Sequence, residues 1–239
     1  MKKPHKTFFN WSSGKDAAFG LYRMLNSSDY HVSHLLTTVN RVYNRVSMHG
    51  LHRTLLEQQV AAIQLPHSTI ELGETPDMEA YEHAMHKGIQ RLLDTGYTHA
   101  AFGDIFLDDL RQYREKQLAK HGLKAVFPLW GEDTQQLVYS FINAGFKAIV
   151  VCVNGEKLDA SFAGRVLDEQ FVKDLPPGVD PCGENGEFHT FCYDGPLFEA
   201  PVAFKVGEKV CRSYTDPDNH EKSIPFWYCD LLPISNPTP

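Results

Sequence analysis

Paired cysteines are missing from this sequence. Its five cysteines, at positions 152, 182, 192, 211 and 229, are odd in number and never fall into a C-x-x-C pair, which disfavours both a disulfide framework and a structural zinc site. Long apolar runs are lacking too. The longest, Ala148 to Val153, falls well below the roughly 20 residues that cross a bilayer. Only Phe8 and Phe9 follow the basic start from Met1 to Lys6, too little apolar sequence for a signal peptide, so a cytoplasmic protein with reduced thiols is expected. Positive charge is scarce: 23 Lys and Arg stand against 30 Asp and Glu, a formal net charge of -7. That excludes a surface gathering extended nucleic acid by bulk attraction, which needs a concentrated basic field. It leaves room for a local pocket holding one nucleotide. The 12 histidines are scattered, with His49 and His52 the nearest approach to a ligand pair, and none forms the spacing of a catalytic zinc helix.

What is present is a globular composition, 42% hydrophobic and 12% aromatic over 239 residues, long enough for two modest domains. The pattern predicts strands at Thr7–Trp11, His31–Asn40, Ser68–Leu72 and His99–Phe102. Helices are predicted from Ala17, over Leu51–Ile63, from Pro76 and Asp77 to about Asp94, and over Leu107–His121. Strand and helix alternating in this way predict an α/β fold, a doubly wound parallel sheet covered on both faces. A helix over Thr134–Asn143 and a strand over Ala148–Val153 follow. After the turn-rich P-P-G-V-D-P-C-G-E-N-G come strand-like runs at 188–193, 202–211 and 224–232. A nucleotide-binding domain is therefore expected over 1–130 and a smaller α+β domain over 131–239.

Ser12-Ser13-Gly14-Lys15-Asp16 falls between the first strand and first helix, where a parallel sheet places its ligands. Small residues let backbone amides approach an anion, the helix start favours its charge, and Lys15 adds a full positive charge. Asp16 cannot attract phosphate and is suited to hold Mg²⁺ against it. An alternative stands beside this reading: Ser12 or Ser13 simply caps the helix while Lys15 and Asp16 are solvated. The loop resembles the S-G-G-x-D-S signature of the PP-loop ATP pyrophosphatases, which cleave ATP between its α and β phosphates. Ser13 stands where that pattern has glycine, tolerable if its φ is negative, and Ala17 stands where it has the final serine.

Downstream, Asp180-Pro-Cys-Gly-Glu-Asn-Gly-Glu-Phe-His-Thr-Phe191 gathers acids, an amide and an imidazole around one turn. Gly183 and Gly186 permit that turn, bringing Glu184, Asn185 and Glu187 together; His189 follows on a strand, where a lone histidine is more often structural. Gly103 and Asp104 end the fourth strand. Arg111 and Arg114, three apart on the next helix, face either the phosphate crevice or ordinary partners such as Asp108 and Glu115. His49-Gly50 with Arg53 reads equally as an approach to the nucleotide or as a plain loop.

The loop at 12–16 and the G-E-N-G-E-F-H-T-F block together resemble the diphthine–ammonia ligase family, within the adenine nucleotide α-hydrolase-like superfamily. The likeness extends through G-D-I at 103–105, P-L-W at 128–130 and L-D-E-Q-F from 167. It implies ATP and Mg²⁺, a carboxylate acceptor and ammonia, and an amide formed through an acyl-adenylate. It also implies that Lys15 steadies the departing pyrophosphate, and that Glu184, Asn185, Glu187 and His189, with Gly183 and Gly186, bind the acceptor and handle protons. Sulfur transfer or a non-catalytic ATP-binding protein are the alternatives, and a homodimer is a prior expectation only.

Overall fold

The structure is a computed structural model that describes residues 3–46, 50–74, 77–216, 219 and 221–234. In chain order the first half runs β1 (His5–Asn10), α1 (Lys15–Leu25), β2 (Tyr30–Asn40), β3 (Arg45–Val46), α2 (Arg53–Ile63), β4 (His67–Leu72), α3 (Met78–Asp94), β5 (His99–Ala101), α4 (Asp108–Ala119) and β6 (Lys124–Val126). The second half contributes α5 (Thr134–Asn143), β7 (Lys147–Asn154), α6 (Glu169–Asp174), β8 (Phe188–Asp194), β9 (Phe204–Thr215) and β10 (Ser223–Pro233).

Five strands lie parallel in the order β4, β2, β1, β5, β6, with β3 antiparallel beside the end of β2. The chain winds outward from β1 through β2 to β4, then returns to the other side of β1 for β5 and β6. The carboxyl ends of β1 and β5 therefore flank a topological switch point, where such sheets bind ligands. The sheet is apolar on both faces, as a doubly covered parallel sheet must be. Phe9, Trp11 and Leu35 pack on one side with Leu21 and Leu55 of the flanking helices. Phe8, Leu36 and Ala100 pack on the other with Leu92 of α3 and Leu118 of α4.

The second sheet is antiparallel, ordered β8, β7, β10, β9. Its buried Val150, Phe188 and Phe191 belong to the same apolar cluster as Phe9, Trp11 and Leu21, so one face of this sheet closes over α1. Where helix caps are needed, Asp77, Asp133 and Asp168 supply them, each accepting from an amide three residues on at 2.8 Å.

The α/β architecture and the change to antiparallel strands agree with the sequence pattern. The short strands β3 and β6 are not legible in it, because two or three residues cannot establish a period. β9 continues to Thr215 rather than ending near 211, since Arg212 and Ser213 look like turn residues but pair with Phe226 and Pro225 of β10. Among the described residues no helix is long and apolar enough to cross a membrane, and all five cysteines are free thiols.

Candidate active site

α1 begins immediately after the loop that leaves β1, and its N-cap is Gly14, with no side-chain capping bond. The capping alternative for Ser12 and Ser13 is thereby overturned: Ser12 Oγ accepts only the amide of Gly14 itself, at 3.4 Å, and no side chain of the loop caps the helix. Ser12 lines the cavity described below. Ser13 is fully buried, and its Oγ has no hydrogen-bond partner.

Ser13 also has φ 75°, a correction to the expectation of a negative φ. The backbone keeps the left-handed turn that a glycine would adopt freely, and a serine is strained there. What holds it is a buried polar knot. The Ser13 carbonyl accepts from the Cys192 amide at 2.9 Å and from Gln59 Nε2 at 3.0 Å. Gln59 Nε2 also donates to the Cys192 carbonyl at 2.6 Å, and Gln59 Oε1 accepts from Trp11 Nε1 at 2.8 Å. Thus α2 clamps the loop to β8. Replacing Ser13 with glycine relieves about 1–2 kcal/mol of left-handed strain and removes an unpaired buried hydroxyl, against up to about 1 kcal/mol of added unfolded-state entropy. Ser13→Gly is expected to raise stability by about 1 kcal/mol in urea denaturation; a lowered midpoint would refute the strain.

Lys15 joins the two halves. Its Nζ contacts both Asp16 oxygens, at 2.7 and 2.6 Å, and donates to the Cys182 carbonyl, while its backbone amide donates to Thr190 Oγ1 at 3.1 Å. Burial works against the charge on Lys15, but Asp16 beside it, with Cys182 and Glu184, outweighs that penalty and holds its pKa above the ordinary lysine value. Gly103 sits so close to the start of α1 that a Cβ there would lie 2.8 Å from the Asp16 carbonyl carbon and 2.9 Å from the Ala17 nitrogen. Only glycine lets the chain leaving β5 approach the first turn of α1 this closely.

The turn before β8 is fastened to the end of β5. Glu184 Oε1 accepts the Ile105 amide at 2.7 Å, and its own amide donates to Asp180 at 2.8 Å. Burial first, then the nearby Asp16 and Asp104, push the Glu184 carboxyl up to about 7, the range suited to proton transfer at neutral pH. Glu187 is buried and holds the turn from within: its Oε1 accepts from the Asp180 amide and from Asn185 Nδ2, both at 3.1 Å. Gly183 and Gly186 have φ of 69° and 83°, as the turn requires. Burial, then Lys15, lowers His189 to about 4, so its imidazole is neutral at ordinary pH.

These residues open on one cavity of about 1860 Å³ between the carboxyl edge of the parallel sheet and the β9–β10 ribbon. That exceeds the few hundred to about 1,000 Å³ of a single-ligand pocket, leaving space for a nucleotide and a second substrate. Ser12, Gly14, Lys15, Asp16, Gly103, Asp104, Arg114, Gly183, Glu184, Asn185, Gly186 and His189 line it. Ser13, Glu187 and Arg111 are not among its lining residues. Helical spacing divides the two arginines. Arg114 pairs with Asp104 at 2.6 Å over the Phe102 ring, whereas Arg111 pairs with Glu115 at 2.9 Å and stacks on Trp130. His49 lies outside the described residues; its neighbour Gly50 is at the cavity wall. Sequence reasoning missed Gln59, Thr190 and the Arg45–Asp230 pair at 2.8 Å, which joins β3 to β10 across the wall.

Fold and site together define a Rossmann-like α/β protein whose loop at the switch point is completed by a turn from a second, antiparallel sheet. Residues 133–216 match the family model for the diphthamide synthase C-terminal domain. Among curated proteins, the chain is 31% identical over 113 residues to a diphthine–ammonia ligase of Bos taurus, covering 45% of this chain and 42% of that protein. It is 28% identical over 168 residues to one of Danio rerio, covering 68% and 64%, and 32% identical over 96 residues to one of Schizosaccharomyces pombe, covering 38% and 16%. The match to the bovine relative thus spans less than half its length. Over these stretches the chain is similar to diphthine–ammonia ligases.

Proposed function

We propose that the chain is an ATP-dependent ligase that forms a carbon–nitrogen bond with release of AMP and pyrophosphate. The observation that carries this is the meeting of two distant motifs at Lys15, whose ammonium and backbone amide reach Cys182 and Thr190. The similarity to proteins named diphthine–ammonia ligase supports the same reading. A carboxylate oxygen of the acceptor attacks the α-phosphorus of ATP, the bond to the β-phosphate breaks, and pyrophosphate leaves. Ammonia then attacks the acyl carbon, and AMP leaves with the bonding pair.

In this reading residues 1–130 hold the nucleotide and 131–239 the acceptor. Ser12, Gly14 and the start of α1 receive the phosphates, and Lys15 neutralises the departing charge. Arg114, held by Asp104, borders the same crevice; Arg111 drops to a surface role. Glu184 takes a proton from the attacking amine, Asn185 and the amides of the 183–186 turn meet the acceptor, Glu187 shapes that turn, and His189 serves as a neutral hydrogen-bonding group. Asp16, whose side chain is 29% exposed, suits Mg²⁺ arriving with ATP, because that ion draws its other ligands from phosphates and water. When bound, Mg²⁺ would offset phosphate charge. Sulfur transfer finds no support: burial raises the thiol pKa of Cys182 and Cys192, the two cysteines beside the loop.

Purified protein given ATP, Mg²⁺, nitrogen-15 ammonium and a panel of carboxylates and candidate acceptor proteins is expected to place the label in an amide; AMP formation indifferent to ammonium would refute amide formation. The pH dependence follows from Glu184. Acting as a base it must be ionised, so kcat/KM should rise through a pH of about 7, and Glu184→Gln should flatten that limb. Stability runs oppositely. A carboxyl raised from 4.5 to about 7 in the fold binds more protons folded than unfolded, so stability is lost as pH rises through that window. Glu184→Gln should be more stable than the parent at pH 8 by about 1–3 kcal/mol, and not at pH 4.

A further inference from the structure

β9 is twelve residues long and lies at one end of its sheet, pairing only with β10 among the described strands. A free edge of that length is a template for another strand. Its side chains are not those of a guarded edge throughout: Val206, Val210 and Tyr214 are 46%, 43% and 47% exposed.

We propose that the β9 edge pairs with β9 of a second copy of this chain, antiparallel about a two-fold axis at Val210, joining the two four-stranded sheets into one of eight. Charge selects this occupant and this register. With Val210 facing its own copy, Glu208 lies opposite the partner's Arg212 and Arg212 opposite the partner's Glu208, two complementary pairs. Lys209 meets the partner's Cys211 rather than a cation, and the bulge at 207–208, opposite Asp230 of β10, ends the regular pairing before Val206 and Lys205. Moving the axis one residue toward the N-terminus sets Lys209 against Lys209, and one further sets Glu208 against Glu208. Pairing at Val210 also keeps the face that lines the cavity on one side of the joined sheet, so the acceptor-facing wall continues into the second copy. The inference stands independently of the chemistry proposed above.

Cys211 makes the test direct. It is the one exposed thiol of five, and in this register the two copies of Cys211 are diagonal neighbours about 7–8 Å apart, within reach of a short bis-maleimide. The full chain is expected to run as a dimer by light scattering and to crosslink through Cys211. Glu208→Lys, which sets a cation against the partner's Arg212 twice, should weaken dimerisation about tenfold; adding Arg212→Glu should restore it. Both residues are exposed, and circular dichroism of each variant confirms folding. A monomer at every concentration would overturn the proposal, as would a dimer that ignores both charge variants or fails to crosslink at Cys211.

Discussion

Lys15→Met should abolish ATP turnover while leaving the protein folded. The side chain keeps its length and its packing against the Phe188 ring, 5.7 Å from Nζ, but loses the charge that a departing pyrophosphate needs. A preorganised cation placed where charge develops contributes about 3–4 kcal/mol to the transition state, so a loss of about 10³-fold in kcat is expected. The fold is also affected, because Asp16 loses its partner and the Cys182 carbonyl loses a donor. Asp16 is partly open to the cavity and water can replace the ammonium, which limits that effect to about 1–2 kcal/mol. Turnover within tenfold of the parent would show that Lys15 only ties the two motifs together.

Gln59→Leu should be among the most damaging single changes to stability. The glutamine is completely buried and makes three hydrogen bonds. Leucine fills a similar volume but leaves Trp11 Nε1 without an acceptor and the Cys192 carbonyl without that donor, each at about 1–3 kcal/mol. The sum, about 2–5 kcal/mol, is a large share of the 5–15 kcal/mol that holds a typical domain. Gln59→Glu should be worse still, since a carboxylate would face two carbonyl oxygens. Ser13 would then lose part of what holds its positive φ. A loss below about 0.5 kcal/mol in calorimetry or denaturation of Gln59→Leu would show that the knot contributes nothing beyond packing.

The knot also shows where the sequence stops being informative. A glutamine within R-T-L-L-E-Q-Q-V-A-A-I looks like one of several polar residues on a surface helix, and nothing local says that Gln59 rather than Gln58 turns inward. Its role comes from three groups brought by β1, the loop after it and β8, separated by up to 133 positions. The loop at 12–16 and the turn at 183–186 were legible because glycine, lysine and clustered acids carry their chemistry locally. That Glu184 would face the cavity and Glu187 the inside of the turn was not, since three-residue spacing in a turn fixes no direction. The capping reading of Ser12 and Ser13 failed for a related reason: the same small residues suit a helix cap or a phosphate loop, and only the conformations of Ser13 and Gly14 decide. The two arginines on α4 were separable only once β5 and the P-L-W segment had been placed beside them.

On the proposed function, this site cleaves ATP between its α and β phosphates. Phosphorus NMR of ATP consumed by the purified protein with Mg²⁺, ammonium and acceptor, with Lys15→Met as the blank, tests it most directly. AMP and pyrophosphate in equal amounts are predicted; ADP and inorganic phosphate as the products would contradict the account.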